Sequence, residues 1–222
     1  MSISHYSGPD AFKGISTASI SDALDTFGIN GGLEGLKPLG PGMALAGPAY
    51  TLQYEPVPEG EAAQAGEFID EVPEGCVVVI ANGGRQYCTV WGDLLTHTAK
   101  IKGLGGTVID GCGRDATAIL QTGYPLFSLG SYMKSGKNRV KLAARQEPVT
   151  IRGTVVCPGD IVAADDSGVI VIPKDMAKQV FRRAKEIEAM EELILLDIQN
   201  GMPMKEARIK HRYNQYALRV NV

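Results

Sequence analysis

Two short strings hold most of the side chains that could do chemistry, Gly92-Asp93-Leu94-Leu95 and Gly113-Arg114-Asp115. Asp115 supplies the hard carboxylate oxygens that a divalent cation such as magnesium prefers, and Asp93 could accept hydrogen bonds from the waters such an ion keeps. Arg114 presents a planar fork of donors suited to a carboxylate or a developing enolate. Both strings read as helix openings, where first-turn amides lack intrahelical acceptors, so Leu94 and Leu95 offer backbone N–H groups to an anionic ligand. Taken singly, each feature has an ordinary explanation: a capping aspartate, or an adjacent Arg-Asp surface pair. The case for a site depends on convergence, because twenty residues lie between Asp93 and Arg114.

The surrounding pattern supplies a means of convergence. Residues 77–81 form a continuous apolar run of the kind a buried strand shows, a second strand is predicted over 107–110, and helices follow over 92–101 and 115–121. In a parallel sheet both helix openings fall at the carboxyl edge, where ligands of open α/β sheets bind. Elsewhere the pattern predicts a helix over 19–27, with Ser19 and Asp22 at capping-box spacing and Gly28 as its stop. It also predicts an alternating strand over 49–54, a short helix over 61–69, and strands over 126–129, 149–151, 161–164 and 169–172. A long amphipathic helix begins after Pro173, carries Ala177, Val180, Phe181, Ala184, Ile187 and Ile194 on one stripe, and ends before Gly201. Strand-helix alternation followed by strands in succession means an α/β fold, with a parallel or mixed sheet and flanking helices.

Composition narrows the function classes. A chain of 222 residues, 44% of them hydrophobic, suits one domain over 1–222. The net charge of −3 gives no general basis for nucleic-acid binding. From Met202 onward, however, Lys205, Arg208, Lys210, Arg212 and Arg219 face only Glu206, a local +4 against −7 for the remainder. That run reads as a solvated basic tail or a strap on a neighbouring subunit rather than as a nucleic-acid arm. Cys76, Cys88, Cys112 and Cys157 form no Cys-x-x-Cys pair, which argues against structural zinc and a disulfide framework. No leader pattern and no membrane-length apolar stretch is present, so the expectation is a cytoplasmic protein without membrane or nucleic-acid partners.

Other signals have simpler readings. Gly111-Cys112-Gly113-Arg114-Asp115-Ala116 fits a dinucleotide fingerprint, but its helix has room for only two turns and the next strand carries no acid for a ribose. His97 reads as a helix-surface histidine, Lys100 as a poor Schiff-base candidate, Trp91 as packing, and Arg85 as a loop arginine within reach of a second substrate carboxylate.

The stretch from Val90 to Ala116, with Gly92-Asp93 and Arg114-Asp115, resembles the signature of the RraA-like family, which includes metal-dependent 4-hydroxy-4-methyl-2-oxoglutarate / 4-carboxy-4-hydroxy-2-oxoadipate aldolases. Residues 16–24, Gly47-Pro48-Ala49, and Pro158-Gly159-Asp160 through Asp165, Gly168-Val169 and Pro173 resemble further segments of that family. Cys88 and Ser167 depart from it, standing where glycine and aspartate are common in catalytic members. The resemblance implies a swivelling β/β/α domain in a homotrimer or homohexamer, with active sites between subunits and the C-terminal helix and tail (residues 174–222) at the contacts. It implies that Asp115 ligates Mg2+ or Mn2+ directly and that Asp93 acts through water. A glutamate from a neighbouring subunit's C-terminal helix, Glu192 or else Glu191, would join them through water. Arg114 and Asp93 would be catalytic, with Gly92, Leu94, Leu95 and Arg114 binding a 2-oxo acid. The implied reaction is cleavage to pyruvate through its enolate, with oxaloacetate decarboxylation at the same site. The other class in the family, a non-catalytic regulator that binds a ribonuclease, is the alternative, and retention of Asp115 speaks against it.

Overall fold

The structure, a computed structural model, describes residues 6–58, 60–63 and 66–216. A 3-10 turn (Pro9–Phe12) leads into α1 (Thr17–Thr26), β1 (Lys37–Pro38), β2 (Leu45–Pro56), β3 (Val77–Thr89), α2 (Asp93–Ile101), β4 (Gly106–Gly113), α3 (Ala116–Thr122) and β5 (Leu126–Ser131). There follow β6 (Val140–Arg145), β7 (Val149–Ile151), β8 (Thr154–Val156), β9 (Ile161–Asp165), β10 (Gly168–Ile172), α4 (Ala177–Gln199), α5 (Met204–Lys210) and α6 (Tyr213–Tyr216). The main sheet runs β1-β5-β4-β3-β2-β9-β10, with β6 also paired to β2, while β7 and β8 form a separate hairpin. Neighbours among β2, β3, β4 and β5 pair parallel, and β1, β6, β9 and β10 join antiparallel. This is the mixed sheet with flanking helices and a long C-terminal helix that the sequence pattern predicts.

Burial explains the apolar run in β3. Val77, Val79 and Ala81 pack with Val108, Phe127 and the hairpin residues Val149, Ile151 and Val156 on one face. Val78 and Ile80 meet Ile109, Leu126, Ala99 of α2 and Ile119 of α3 on the other. A strand covered on both faces cannot alternate with polar residues, so the two helix openings after β3 and β4 are held by a fully packed centre. Farther along the sheet α1 and α4 cover β9 and β10, and every residue of the predicted α4 stripe is buried.

Three expectations need correcting. First, α1 starts at Thr17 rather than Ser19, because Ser16 is the cap: its hydroxyl oxygen accepts the Ser19 N–H at 3.0 Å. Asp165, at the end of β9, accepts the Thr17 N–H at 2.8 Å and the Thr17 hydroxyl at 2.7 Å. Second, the described residues of 61–69 show no α-helix: they are irregular up to a 3-10 turn at Ile69–Glu71, and Gly66 sits at φ 91°, outside helical space. Third, Lys210 is engaged within its own chain. Its ammonium bonds Asp197 of α4 at 2.8 Å, as does His211 at 2.6 Å, folding that part of the basic tail onto its own chain. Arg219 lies outside the described residues. Among these residues no helix is long and apolar enough to cross a membrane.

The Asp165 tether gives a testable pH dependence. Burial raises the carboxyl's pKa, but hydrogen bonds from Thr17 and Ser167 outweigh that and hold it below its ordinary value of 3.8. A depressed carboxyl stabilises the fold fully above the unfolded value and loses its contribution as pH falls through the folded one. Asp165→Asn is expected to cost about 1 kcal/mol at neutral pH, a typical cap energy. In urea unfolding at stepped pH, the gap to wild type should shrink below 3.8; a constant gap would exclude an ionised tether.

Candidate active site

The parallel pairing brings the two strings together. Asp93 follows β3 and Arg114-Asp115 follow β4, so both stand at the carboxyl edge. The Asp93 N–H donates to Asp115 Oδ2 at 3.2 Å, and Arg114 Nε lies 3.3 Å from the same oxygen. The Arg114 N–H donates to the Trp91 carbonyl at 2.9 Å, which ties the end of β4 to the residue before Gly92. A cleft of 180 Å³ opens here, walled by Thr89, Val90, Trp91, Asp93, Leu95 and Arg114 together with Ser135 and Gly136.

The backbone around Asp115 is unusual. It caps α3 at φ 60°, ψ 36°, a left-handed conformation that costs most L residues about 1–2 kcal/mol and that aspartate and asparagine tolerate best. That turn directs the carboxylate back over Gly92. A Cβ at Gly92 would sit 2.7 Å from Asp115 Oδ2 and 3.1 Å from Arg114 Nε, so the approach requires glycine. The Arg114 and Asp115 side chains remain 40% and 36% exposed, open to a ligand from solution.

The first-turn amides are less free than the sequence suggests. The Leu94 N–H donates to Asp93 Oδ1 at 2.8 Å, so an incoming carboxylate must displace Asp93's side chain to use it. Glu192 is exposed on α4, does not line the cleft, and is not brought to Asp93 and Asp115 within one chain. Its neighbour Glu191 stands by Asp22 and Glu188; partial burial and then those two charges push its carboxyl pKa up. His97 is exposed on α2 and outside the cleft wall, Lys100 bonds the Thr122 carbonyl, and Arg85 bonds the Asn82 carbonyl at 2.7 Å.

Sequence reasoning missed a buried polar pair on the same edge. Asp110 is 3% exposed and accepts the Gly84 N–H at 2.9 Å; Asn82 is fully buried. Both side-chain atoms of Asn82, and Asp110 Oδ1, find no partner among the described residues. Burial pushes the Asp110 carboxyl up, while the Gly84 amide, Arg152 and Arg85 work against it. The available signal was an ionisable residue closing an apolar strand.

The donor set bears on a metal. Among the described residues no three His, Cys, Asp or Glu side chains gather, so one chain offers two carboxylates and nothing like a zinc cage. Two hard oxygen donors with room for water fit a magnesium-type ion, which binds through one or two carboxylates and keeps several waters.

Comparison with known proteins identifies the family. The RraA-like family profile, described as Aldolase/RraA, matches residues 17–171. Protein DlpA of Legionella pneumophila is 48% identical over 92% of this chain, which spans only 34% of that longer protein. A protein of Halalkalibacterium halodurans, provisionally named a 4-hydroxy-4-methyl-2-oxoglutarate aldolase, is 33% identical over 82% of this chain and 83% of its own length. The crystal structure of Streptomyces coelicolor RraAS2, described as an unusual member of the RNase ES inhibitor RraA family, superposes with a TM-score of 0.79 at 30% identity, covering 85% of this chain and 96% of that one. With the profile matching well over half of its length, the chain belongs to the RraA-like family.

Proposed function

We propose that the protein is a divalent-metal-dependent lyase that cleaves 4-hydroxy-2-oxo di- or tricarboxylic acids to pyruvate and a second keto acid, and that it decarboxylates oxaloacetate. The observation that carries this reading is the bond from the Asp93 N–H to Asp115 Oδ2, which joins two strand ends into one cluster beside Arg114. Mg2+ or Mn2+, held by Asp115 with Asp93 acting through water, would supply Lewis-acid stabilisation of a developing enolate.

This chain's residues have distinct tasks. The Arg114 guanidinium donates to the 2-oxo oxygen, where negative charge grows as the bond between C3 and C4 breaks. The amides of Leu94 and Leu95 take the neighbouring carboxylate once Asp93 swings away from Leu94. Asp93, released, accepts a hydrogen bond from the water that removes the C4 hydroxyl proton and later returns one to C3. Oxaloacetate yields the same enolate by losing carbon dioxide, so one set of donors serves both reactions. Because the described residues of one chain bring only two carboxylates together here, Glu192, or else Glu191, of a neighbouring subunit would complete the site in a homotrimer or homohexamer. In this reading the chain is one domain over 1–222 whose C-terminal helix and tail, residues 174–222, contribute to those contacts.

The test measures pyruvate release from oxaloacetate and from 4-carboxy-4-hydroxy-2-oxoadipate. Turnover is expected with Mg2+, abolished by EDTA and restored by excess Mg2+. Metal-independent turnover would exclude the mechanism. The similarity to RraAS2 favours a second reading, a ribonuclease-binding regulator. No pyruvate from either substrate, together with ribonuclease binding that survives EDTA, would establish that reading instead.

A further inference from the structure

The Gly92–Asp93 peptide is gripped from both ends. Its N–H donates to Asp115 Oδ2 at 3.2 Å, and its carbonyl oxygen accepts the Thr96 hydroxyl at 2.9 Å and the Thr96 N–H at 3.1 Å. The peptide is planar and trans, so its C=O and N–H point in opposite directions. Drawing the carbonyl toward Thr96 therefore aims the N–H at Asp115.

Thr96 is itself oriented. It is fully buried, and its hydroxyl oxygen accepts the Trp91 indole N–H at 2.8 Å. With that lone pair engaged, the hydroxyl proton is left for Gly92 rather than for a competing acceptor. The indole cannot easily move, since it lies 2% exposed and stacks on Tyr124 with centroids 6.1 Å apart and planes 7° from parallel. Tyr124 is hydrogen-bonded through its hydroxyl to Thr107 of β4 at 2.9 Å. Trp91 also holds the other side of the cluster, because its carbonyl accepts the Arg114 N–H. A threonine bonding the carbonyl four residues back is common in helices. An indole donor behind it and a carboxylate in front are not part of that habit.

We propose that Thr96 is a positioning residue, the middle of a chain running from the Trp91 indole through the Thr96 hydroxyl and the Gly92–Asp93 peptide to the Asp115 carboxylate, and that it sets the affinity of Asp115 for a divalent cation. The inference rests on the metal-dependent reading above. Groups that orient a metal ligand typically change metal affinity 10–100-fold when lost.

The test is Mn2+ binding, read from the electron paramagnetic resonance signal of the free ion and independent of turnover, with thermal unfolding alongside. Thr96→Val keeps the shape and removes both side-chain bonds; it is expected to weaken Mn2+ binding about tenfold. Thr96→Ser restores the hydroxyl and is expected to bind within about twofold of wild type. Trp91→Phe removes the indole donor, along with part of the buried ring, but leaves the Thr96 bonds to Gly92; it should weaken binding by a smaller factor, which keeps the chain testable if Thr96→Val fails to fold. Wild-type affinity in Thr96→Val, whatever its melting temperature, would overturn the proposal. Failure of the wild type to bind Mn2+, or equal binding by Asp115→Asn, would overturn the metal reading itself, and this inference with it.

Discussion

Asp115→Asn is expected to lower pyruvate release by about 10²–10³-fold while leaving the melting temperature close to wild type. The variant isolates charge from shape. Asparagine tolerates φ 60° as aspartate does, so α3 keeps its start, and the amide oxygen can still accept the Asp93 N–H at 3.2 Å. The Arg114 contact loses its ionic part, but at 40% and 36% exposure such a pair contributes at most about 1 kcal/mol to stability. What disappears is the anionic oxygen that a hard cation needs. Steady-state kinetics with Mg2+ and a thermal melt suffice, and undiminished turnover would remove Asp115 from the chemistry.

Gly92→Ala should come close in effect through geometry alone. The backbone at Gly92 is extended, φ −157°, which alanine adopts without strain. The methyl group, however, would lie 2.7 Å from Asp115 Oδ2 and 3.1–3.3 Å from Arg114 Nε and Cγ. The backbone can absorb little of this overlap, because Trp91 and Thr96 hold both flanks, so Asp115 and Arg114 must retreat. Displacing reacting groups by about 1 Å costs on the order of 10²-fold in rate. The expected result is a loss of about that size in kcat/KM with a melting temperature lowered by only a few degrees. A stable variant of unchanged activity would mean that the approach of Asp115 to Gly92 is irrelevant to turnover.

These expectations follow from features of unequal legibility. The run in β3 and the stripe of α4 are local periodicities, and the structure buries both as the pattern requires. From them the parallel centre follows, and with it the meeting of Asp93 and Arg114-Asp115 at one edge. The start of α1 was not legible, because Ser16 and Ser19 are equally able to cap and the choice is made by Asp165, 148 residues away from Thr17. Strand β6 was missed since its outward positions carry Lys141 and Arg145 and it is fixed by pairing with β2. Gly66, read as part of a helix, shows the limit of short apolar patterns near glycine. Within the site, residue types were readable but contacts were not. Neither the left-handed turn at Asp115 nor the bond from the Leu94 N–H to the Asp93 carboxylate has a signature in spacing.

The left-handed turn at Asp115 also has a genetic side. The residues that suit φ 60° are glycine, asparagine and aspartate, and an aspartate codon reaches either of the others by a single base change. Most active-site substitutions put fold and chemistry at risk together; here the cheapest mutational steps remove the charge and spare the backbone. A lineage can therefore shed turnover at this position in one step and keep a stable scaffold on which selection for binding can act.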